Sequence, residues 1–261
     1  MKKYILQGFH FVQVMQFESI VTRTSDVDFM LFDLVFTAIW IIMLWKRGYI
    51  KPLLFGLLGI VINFIVDFGI WYNYLGIRTV EGLPPQISPI LFFFYFSITY
   101  GMVQYSYVQV MFSTQPGHPE NERRERIHWS LFLFVGWLLV GFISVLVPID
   151  DTKITVTRIM TNQRIFEVYA VAGEYGFLAI LAYSKRFGLD WRKIAYIFLV
   201  GVFVHFSMEF TLLLPGIRKS GLFDLIFNSL FEFNMGAPLL YLMLVALGPV
   251  NNKLTTRQEV S

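Results

Sequence analysis

The sequence contains no cysteine and few charged residues. The lack of cysteine excludes disulfide bonds, iron–sulfur clusters and zinc sites built on thiolates. Only 15% of the residues are charged, whereas soluble domains carry about 25%, so the chain has too little charge to cover a surface that faces water. The formal net charge of +3 is too small for a nucleic-acid-binding protein, and the high apolar content excludes a disordered chain.

Apolar and aromatic side chains are abundant instead. Hydrophobic residues make up 56% of the 261 residues, aromatic residues 18%, and the mean hydropathy is +0.60. A helix needs about 17–25 mostly apolar residues to cross a bilayer. The sequence therefore predicts an all-α, polytopic membrane protein with seven transmembrane helices. The seven apolar stretches are roughly 29–45, 53–75, 88–112, 129–148, 165–184, 194–214 and 223–247.

The distribution of Lys and Arg predicts the orientation in the membrane, because basic connections stay on the cytoplasmic side. One set of connections holds 12 of these residues: 46–51, 113–128, 185–193 and the tail after 250. The other set holds 6: 76–87, 149–164 and 215–222. We therefore expect an integral, multi-pass membrane protein with its N-terminus outside and its C-terminus in the cytoplasm.

The first 25 residues are apolar but interrupted by polar side chains such as Gln7, His10 and Glu18. These side chains make a crossing costly, so we expect an amphipathic segment that lies in the membrane interface. An eighth crossing is the alternative, and it would place Lys2 and Lys3 inside.

Helices 1 and 2 resemble helices 5 and 6 in sequence. Asp33-Leu-Val-Phe-Thr-Ala-Ile matches Glu174-Tyr-Gly-Phe-Leu-Ala-Ile, and Asn63-Phe-Ile-Val-Asp67-Phe matches His205-Phe-Ser-Met-Glu209-Phe. Helices 2 and 6 also both end in Gly-Ile-Arg. Three crossings reverse the side of the membrane, so a copy in the same orientation needs a connecting helix. The matches thus predict a 3+1+3 parallel internal repeat with a cavity between the halves, although chance similarity between apolar helices is the alternative.

This repeat predicts the domain organisation. We expect an interfacial segment, a first three-helix repeat, a connector that contains helix 4, a second three-helix repeat and a cytoplasmic tail. Their ranges are 1–25, 26–112, 113–150, 151–250 and 251–261.

Ionisable side chains within the predicted helices are the main functional signal, since a charge at the bilayer centre costs about 2.5–3.5 kcal/mol on insertion scales. In the sequence no Lys or Arg lies at a comparable depth, so we expect the acids to be protonated, bonded to one another or exposed to a wet cavity. The acids are Asp33, Asp67, Glu167, Glu174, Glu209 and Glu232, and their polar neighbours are Asn63, His205, Asn228, Asn234, Gln104 and Gln109.

The spacing of two polar pairs indicates acid catalysis. Residues four apart share a helix face, which places Asp67 beside Asn63 and Glu209 beside His205. An apolar pocket disfavours the charged form of a carboxyl, so that the carboxyl can act as a general acid. We predict that these four residues are catalytic. The alternative is that the pairs only bind helices to one another. The residues predicted to bind substrate are Asp33, Glu174, Glu232, Asn228, Asn234, Gln104 and Tyr100.

The last helix and the aromatic residues add two further expectations. Pro238 breaks the hydrogen-bond ladder, and a kink there could open the helix onto a cavity or serve packing alone. Aromatic rings in that cavity would suit a flat apolar ligand or a carbocation.

Trp45, Trp71, Trp129 and Trp191 are expected to act as interfacial anchors. The histidines are scattered along the sequence, so we expect no metal site and no cofactor.

The second helix resembles that of the small seven-helix membrane terpene cyclases of fungal meroterpenoid pathways. The shared pattern is a basic loop, a proline that opens the helix and then Asn-x-x-Trp-Glu. In this chain Lys46-Arg47 and Pro52 precede Asn63, Val66 replaces the Trp, and Asp67 replaces the Glu. Asn234-Met-Gly-Ala-Pro also resembles a motif in the last helix of that family. The resemblance implies that Asp67, with Glu209 as the acid of the second half, protonates an epoxide or alkene of a prenyl chain and starts cyclisation.

The chain is also similar to the emopamil-binding-protein (EXPERA) superfamily of sterol isomerases, which places His-x-x-x-Glu in a membrane helix as His205 and Glu209 do here. Together these observations predict a membrane enzyme that protonates a lipophilic isoprenoid or sterol-like molecule. Its expected partners are that molecule and the lipid bilayer, with no nucleic acid and no metal. The alternative is a 3+1+3 small-solute transporter, or a lipid-binding membrane protein with proton-relay carboxylates.

Overall fold

The structure, a computed structural model, describes residues 20–113, 119–219 and 221–255. Two helices contain wide π-helical segments, and the last predicted apolar stretch, 223–247, is divided between two helices. The helices are α1 (Val27–Lys46), α2 (Ile50–Phe64, continued by the π-helix Ile65–Tyr74), α3 (Pro89–Phe96, the π-helix Ser97–Gly101 and Met102–Phe112), α4 (Pro119–Leu146), α5 (Thr161–Tyr183), α6 (Trp191–Leu213), α7 (Leu222–Phe231) and α8 (Ala237–Thr255). The strands are β1 (Ile20–Asp26), β2 (Arg78–Glu81) and β3 (Lys153–Ile159).

Within the described residues, five helices are long and apolar enough to cross a membrane, which confirms the prediction of a helical membrane protein. They cover Val27–Lys46, Ile50–Tyr74, Arg123–Leu146, Gln163–Tyr183 and Trp191–Leu213. The other two predicted stretches form interrupted helices, since α3 contains a π-helical segment and residues 232–236 separate α7 from α8. Large apolar side chains such as Leu54 and Val61 are exposed on the outside of the bundle, as a surface in contact with lipid requires.

A three-stranded antiparallel sheet lies at one end of the helices, and the sequence analysis missed it. The order is β1-β3-β2, with Val21 and Arg78 both opposite Arg158. β1 leads into α1, β2 follows α2, and β3 lies between α4 and α5, so the sheet joins connections from both halves of the chain. Residues 20–25 of the predicted interfacial segment 1–25 therefore belong to strand β1, and the rest of that segment lies outside the described residues.

Two glycines turn the chain at the ends of α2 and α6. Gly76 and Gly216 have φ values of 61° and 80°, in the left-handed region that glycine adopts without strain. In each case an arginine follows two residues later, at Arg78 and Arg218. Because the chain turns back at the glycine, each arginine points toward the helix that the chain has just left.

The aromatic core lies between α1, α3 and α4. Trp40 is fully buried, stacks on Phe132 with 5.2 Å between ring centroids, and donates a hydrogen bond from Nε1 to Ser106 Oγ at 2.8 Å. Trp129 packs edge-on against Trp40 and is only 2% exposed. The prediction that Trp129 is an interfacial anchor is therefore wrong, because the ring is an internal packing element. Trp45, by contrast, is 68% exposed at the end of α1.

Candidate functional site

A cavity of about 360 Å³ lies between α2, α3, α6 and the break before α8. Its volume is within the range of about 300–1,000 Å³ typical of small-molecule sites. Most of the wall is apolar or aromatic and includes Ile62, Phe96, Met208, Phe233 and Leu239. The polar and charged side chains in the wall are Asn63, Asp67, Arg78, Gln104, Arg158, His205 and Glu232.

Both π-helical segments contribute to the wall of the cavity. The segment of α2 presents Asp67 and Trp71, and the segment of α3 presents Tyr100. Asn63 and Asp67 line the same cavity, which confirms that they share one helix face. Since π-helical turns are rare and occur often at functional sites, their position here supports a functional cavity.

Arginines pair with the acids of the site, contrary to the expectation that no cation lies at their depth. Arg78 Nη1 lies 2.8 Å from Asp67 Oδ1, and Arg158 Nη1 donates to Glu232 Oε1 at 2.7 Å. Arg218 likewise pairs with Glu209. The expectation failed because these arginines belong to the connections 76–87, 149–164 and 215–222, which fold back into the protein. A carboxylate paired with a guanidinium is favoured in its ionised form.

Trp71 packs against two of these arginines. The guanidinium carbons of Arg78 and Arg158 lie 4.7 Å and 4.8 Å from its ring centroid, within the range of cation–π contacts. Trp71 therefore lines the cavity instead of acting as an interfacial anchor.

The two guanidiniums remain charged at neutral pH. Burial lowers the pKa of Arg78 to about 9, although the charge of Asp67 opposes this change. Burial also acts to lower the pKa of Arg158, but the carboxylates of Glu232 and Glu167 raise it more, so the net change is upward. Both pKa values stay above 7, so each arginine enters its ion pair as a cation.

His205 lies between two carboxylates. Its Nε2 atom is 3.0 Å from Glu232 Oε2 and 3.3 Å from Glu209 Oε1. The contact with Glu209 confirms that residues four apart on this helix meet. Glu232 lies in the chain just after α7, so its contact with His205 could not be predicted from the spacing of residues in the sequence. An imidazole at this position can hold a proton that two carboxylates stabilise.

Asp33 lies behind the wall of the cavity. It is fully buried and accepts a hydrogen bond from Tyr95 Oη at 3.2 Å. On the cavity side, Tyr100 accepts a hydrogen bond from Arg23 Nη1 at 3.1 Å. Arg23 lies on the same sheet face as Arg158, since Val21 is opposite Arg158 and alternate residues of a strand share a face.

The structure thus brings six of the predicted site residues to the cavity wall and leaves five elsewhere. Those on the wall are Asn63, Asp67, Tyr100, Gln104, His205 and Glu232. Glu209 does not line the cavity but contacts His205. Asp33, Glu174, Asn228 and Asn234 do not line this cavity. Their predicted contact with substrate stays a prediction.

Asn234 bonds three segments together. Its Oδ1 accepts a hydrogen bond from Tyr175 Oη at 2.7 Å, and its Nδ2 donates to the carbonyl of Leu230 at 2.9 Å and to that of Phe198 at 3.4 Å. It packs directly against Gly201, where a larger residue would displace the Asn234 side chain, since a Cβ there would lie 2.1 Å from Asn234 Oδ1. These contacts stabilise the interruption between α7 and α8 next to Pro238.

Sequence reasoning missed Arg78, Arg158 and Arg218 as members of the site. The repeated Gly-Ile-Arg was a usable signal for Arg78 and Arg218, because the same ending follows an acid in both helices. For Arg158 the sequence holds no such signal, since its place depends on the pairing of β3 with β2.

The same region offers a set of metal ligands that the scattered histidines did not suggest. His205, Glu209 and Glu232 each offer one ligand atom, and these atoms lie within 4.8 Å of one another. One imidazole nitrogen with two carboxylate oxygens is a donor set suited to divalent transition ions.

Comparison with known proteins identifies no relative. No protein-family model matches the chain, and no curated protein and no solved structure matches it either.

Proposed function

We propose that this chain is an integral membrane enzyme that protonates a lipophilic isoprenoid or sterol-like substrate, in the manner of a terpene cyclase or isomerase. The observation that carries the proposal is the cavity, where His205 and Glu232 lie in a wall that is mostly apolar and aromatic, within a membrane protein. An apolar substrate buries its chain in such a cavity, and a proton donor then reaches one double bond or epoxide oxygen.

In this proposal the imidazolium of His205 is the proton donor. Glu232 and Glu209 hold it from two sides, at 3.0 Å and 3.3 Å. Nε2 gives its proton to the alkene carbon or epoxide oxygen, which leaves a carbocation on the substrate and a neutral imidazole. The cation then loses a proton from a neighbouring carbon, either directly or after it has closed a ring, and the neutral imidazole of His205 takes up that proton, so that the product is an isomer of the substrate.

Asp67 and Glu209, the acids suggested by the resemblance, take a different part. Each is paired with an arginine and is therefore not the proton donor in this proposal. Asp67 lines the cavity and stabilises positive charge on the substrate, as do the faces of Tyr100 and Phe96. Glu209 orients the imidazolium.

The finer architecture is part of the same proposal. We infer that seven helical units cross the membrane, including the interrupted α3 and the α7–α8 pair, in two parallel halves. The matching ion pairs Asp67–Arg78 and Glu209–Arg218 support a duplication. The proposed orientation has the N-terminus outside and the C-terminus in the cytoplasm. Burial of Arg78 and Arg218 on the expected outer side supports it, because it removes positive charge from that surface.

The test is product analysis in cells that express the chain and receive linear and epoxidised prenyl compounds. We expect mass spectrometry of the apolar extract to reveal a product isomeric with one supplied compound. His205→Gln should lower its yield at least about 100-fold, since a positioned general acid contributes about 10²–10⁴-fold. Yields are compared at equal amounts of folded protein.

Asp224→Asn is the matched control, because Asp224 also pairs with an arginine, Arg164, but lies outside the cavity wall. It should leave the yield unchanged. An unchanged yield in His205→Gln would refute the proposed donor, and no isomeric product from well-folded wild-type protein would refute the enzyme.

A proton-coupled solute transporter is the second candidate. The observation in its favour is that charged residues from both halves of the chain meet at the cavity, since Arg78 lies opposite Arg158 on the neighbouring strand and Trp71 packs against both guanidiniums. Uptake of a solute into proteoliposomes, driven by a pH gradient and without chemical change, would favour it over the enzyme.

A further inference from the structure

Three potential ligand atoms lie close together beside the cavity. His205 Nε2 lies 3.0 Å from Glu232 Oε2 and 3.3 Å from Glu209 Oε1, the oxygen that also pairs with Arg218. Ligand atoms about 2.0–2.2 Å from one zinc ion, at angles from about 90° to the tetrahedral value, are about 2.8–3.6 Å apart. Both distances at the histidine fall in that range. The three atoms lie within 4.8 Å of one another, so a modest rotation of the carboxylates completes the set.

Each glutamate has one oxygen held by an arginine and one oxygen left over. Arg218 pairs with Glu209 Oε1, and Arg158 pairs with Glu232 Oε1. Glu209 Oε2 and Glu232 Oε2 are buried and accept no hydrogen bond from the described residues, and His205 Nε2 likewise makes none that meets hydrogen-bond geometry. The side chains of Glu209 and His205 are only 1% and 5% exposed. His205 Nε2 and Glu232 Oε2 thus face each other without a hydrogen bond, and each glutamate keeps one buried oxygen that is available to a cation.

The surroundings of the triad are also compatible with a cation. Arg218 and Arg158, which pair with the Oε1 atoms of Glu209 and Glu232, would orient these carboxylates, as the hydrogen-bond partners of ligands do at metal sites. The positive charges of the two arginines repel a metal ion. Glu167 is buried nearby and interacts electrostatically with Glu232, Arg158 and His205. His205 and Glu232 line the cavity, so an open coordination position would face it.

We propose that His205, Glu209 and Glu232 bind one divalent transition-metal ion of the zinc class, in exchange for the proton on His205 Nε2. The ion takes the imidazole lone pair, and the displaced proton leaves for bulk water. Binding therefore strengthens as the pH rises. The site does not depend on the proposed enzyme. One consequence rests on the proposed function, namely that the metal-loaded form cannot protonate a substrate from Nε2.

The test uses the full chain, purified with a tag that contains no histidine and treated with a chelator. Co²⁺ serves as the spectroscopic probe and Zn²⁺ as its competitor. We expect one Co²⁺ per chain, visible absorption bands of a low-coordinate ion that Zn²⁺ abolishes, and release of about one proton per ion in calorimetry with buffers of different ionisation enthalpy.

His205→Gln and Glu232→Gln should each abolish the stoichiometric bands, with folding checked by gel filtration. His128→Gln is the matched control, because His128 is an exposed histidine that only adventitious binding would use. Absence of stoichiometric Co²⁺ in folded wild-type protein would overturn the site, and so would bands that survive in folded His205→Gln. Neither result depends on turnover, so failure of this site is distinguishable from failure of the enzyme proposal.

Discussion

Arg78 lies directly opposite Arg158 on the neighbouring strand, and both guanidiniums pack on the indole of Trp71. Two like charges at this distance repel each other. Asp67 from α2 and Glu232 from the chain after α7 each neutralise one of them. The polar end of the cavity is therefore held together by two ion pairs and one aromatic ring, which connect the sheet to two helices.

Loss of Asp67 should leave a buried positive charge without its partner. We expect Asp67→Asn to destabilise the protein by about 3–5 kcal/mol, because breaking a buried pair leaves an uncompensated charge. Removing both charges in Asp67→Leu/Arg78→Met should cost less than the single change. Thermal unfolding in detergent, followed by tryptophan fluorescence, measures both effects. If the double variant were the less stable of the two, the ion pair would not be the main contact of Arg78.

Close packing of α2 against α3 depends on Gly59. A Cβ at this position would lie 2.4 Å from the carbonyl oxygen of Gly101 and 2.5 Å from the ring of Tyr105. Gly59→Ala should therefore lower stability by about 1–3 kcal/mol through overpacking. Gly69 is the matched control in the same helix, since a Cβ there meets no atom within 4 Å. Gly69→Ala should be neutral or stabilising by up to about 1 kcal/mol, and equal losses in the two variants would contradict the role of Gly59.

The hydrogen bond from Tyr175 to Asn234 should add to the free energy of unfolding, in addition to what each of the two side chains contributes by itself. We expect Tyr175→Phe to cost about 1 kcal/mol and Asn234→Ala more, since the alanine leaves the Tyr175 hydroxyl without its acceptor. A double-mutant cycle with chemical denaturation gives the coupling energy, which should be about 1 kcal/mol. Strictly additive losses would show that the two residues do not act as a pair.

The natural lack of cysteine makes the topology directly testable. Asp150→Cys and Lys185→Cys each introduce a single thiol, one in the connection before α5 and one in the connection after it. A membrane-impermeant maleimide applied to intact cells should label Asp150→Cys alone, and both variants should react after the cells are opened. The opposite pattern would reverse the proposed orientation, whereas labelling of both in intact cells would show that α5 does not cross.

Sequence patterns predicted the helices and the residue pairs that lie within one helix. The length of the apolar stretches predicted the positions of α1, α2 and α6. The four-residue spacing predicted that His205 contacts Glu209. The failures share one cause, since they concern contacts between segments far apart in sequence. Arg78, Arg158 and Arg218 were counted as loop charges that decide orientation, and the short strands that carry two of them contain too few residues for a periodic signal.

By itself the sequence determined that the chain is a helical membrane protein with buried acids, because length, hydropathy and the cost of charge in lipid are properties of local composition. Only the tertiary structure decided how those acids are used. The pairing of β2 with β3 brings two arginines over Trp71, and the break before α8 brings Glu232 to His205. Such contacts depend on which distant segments pack together, and hydrophobic periodicity carries no information about that choice.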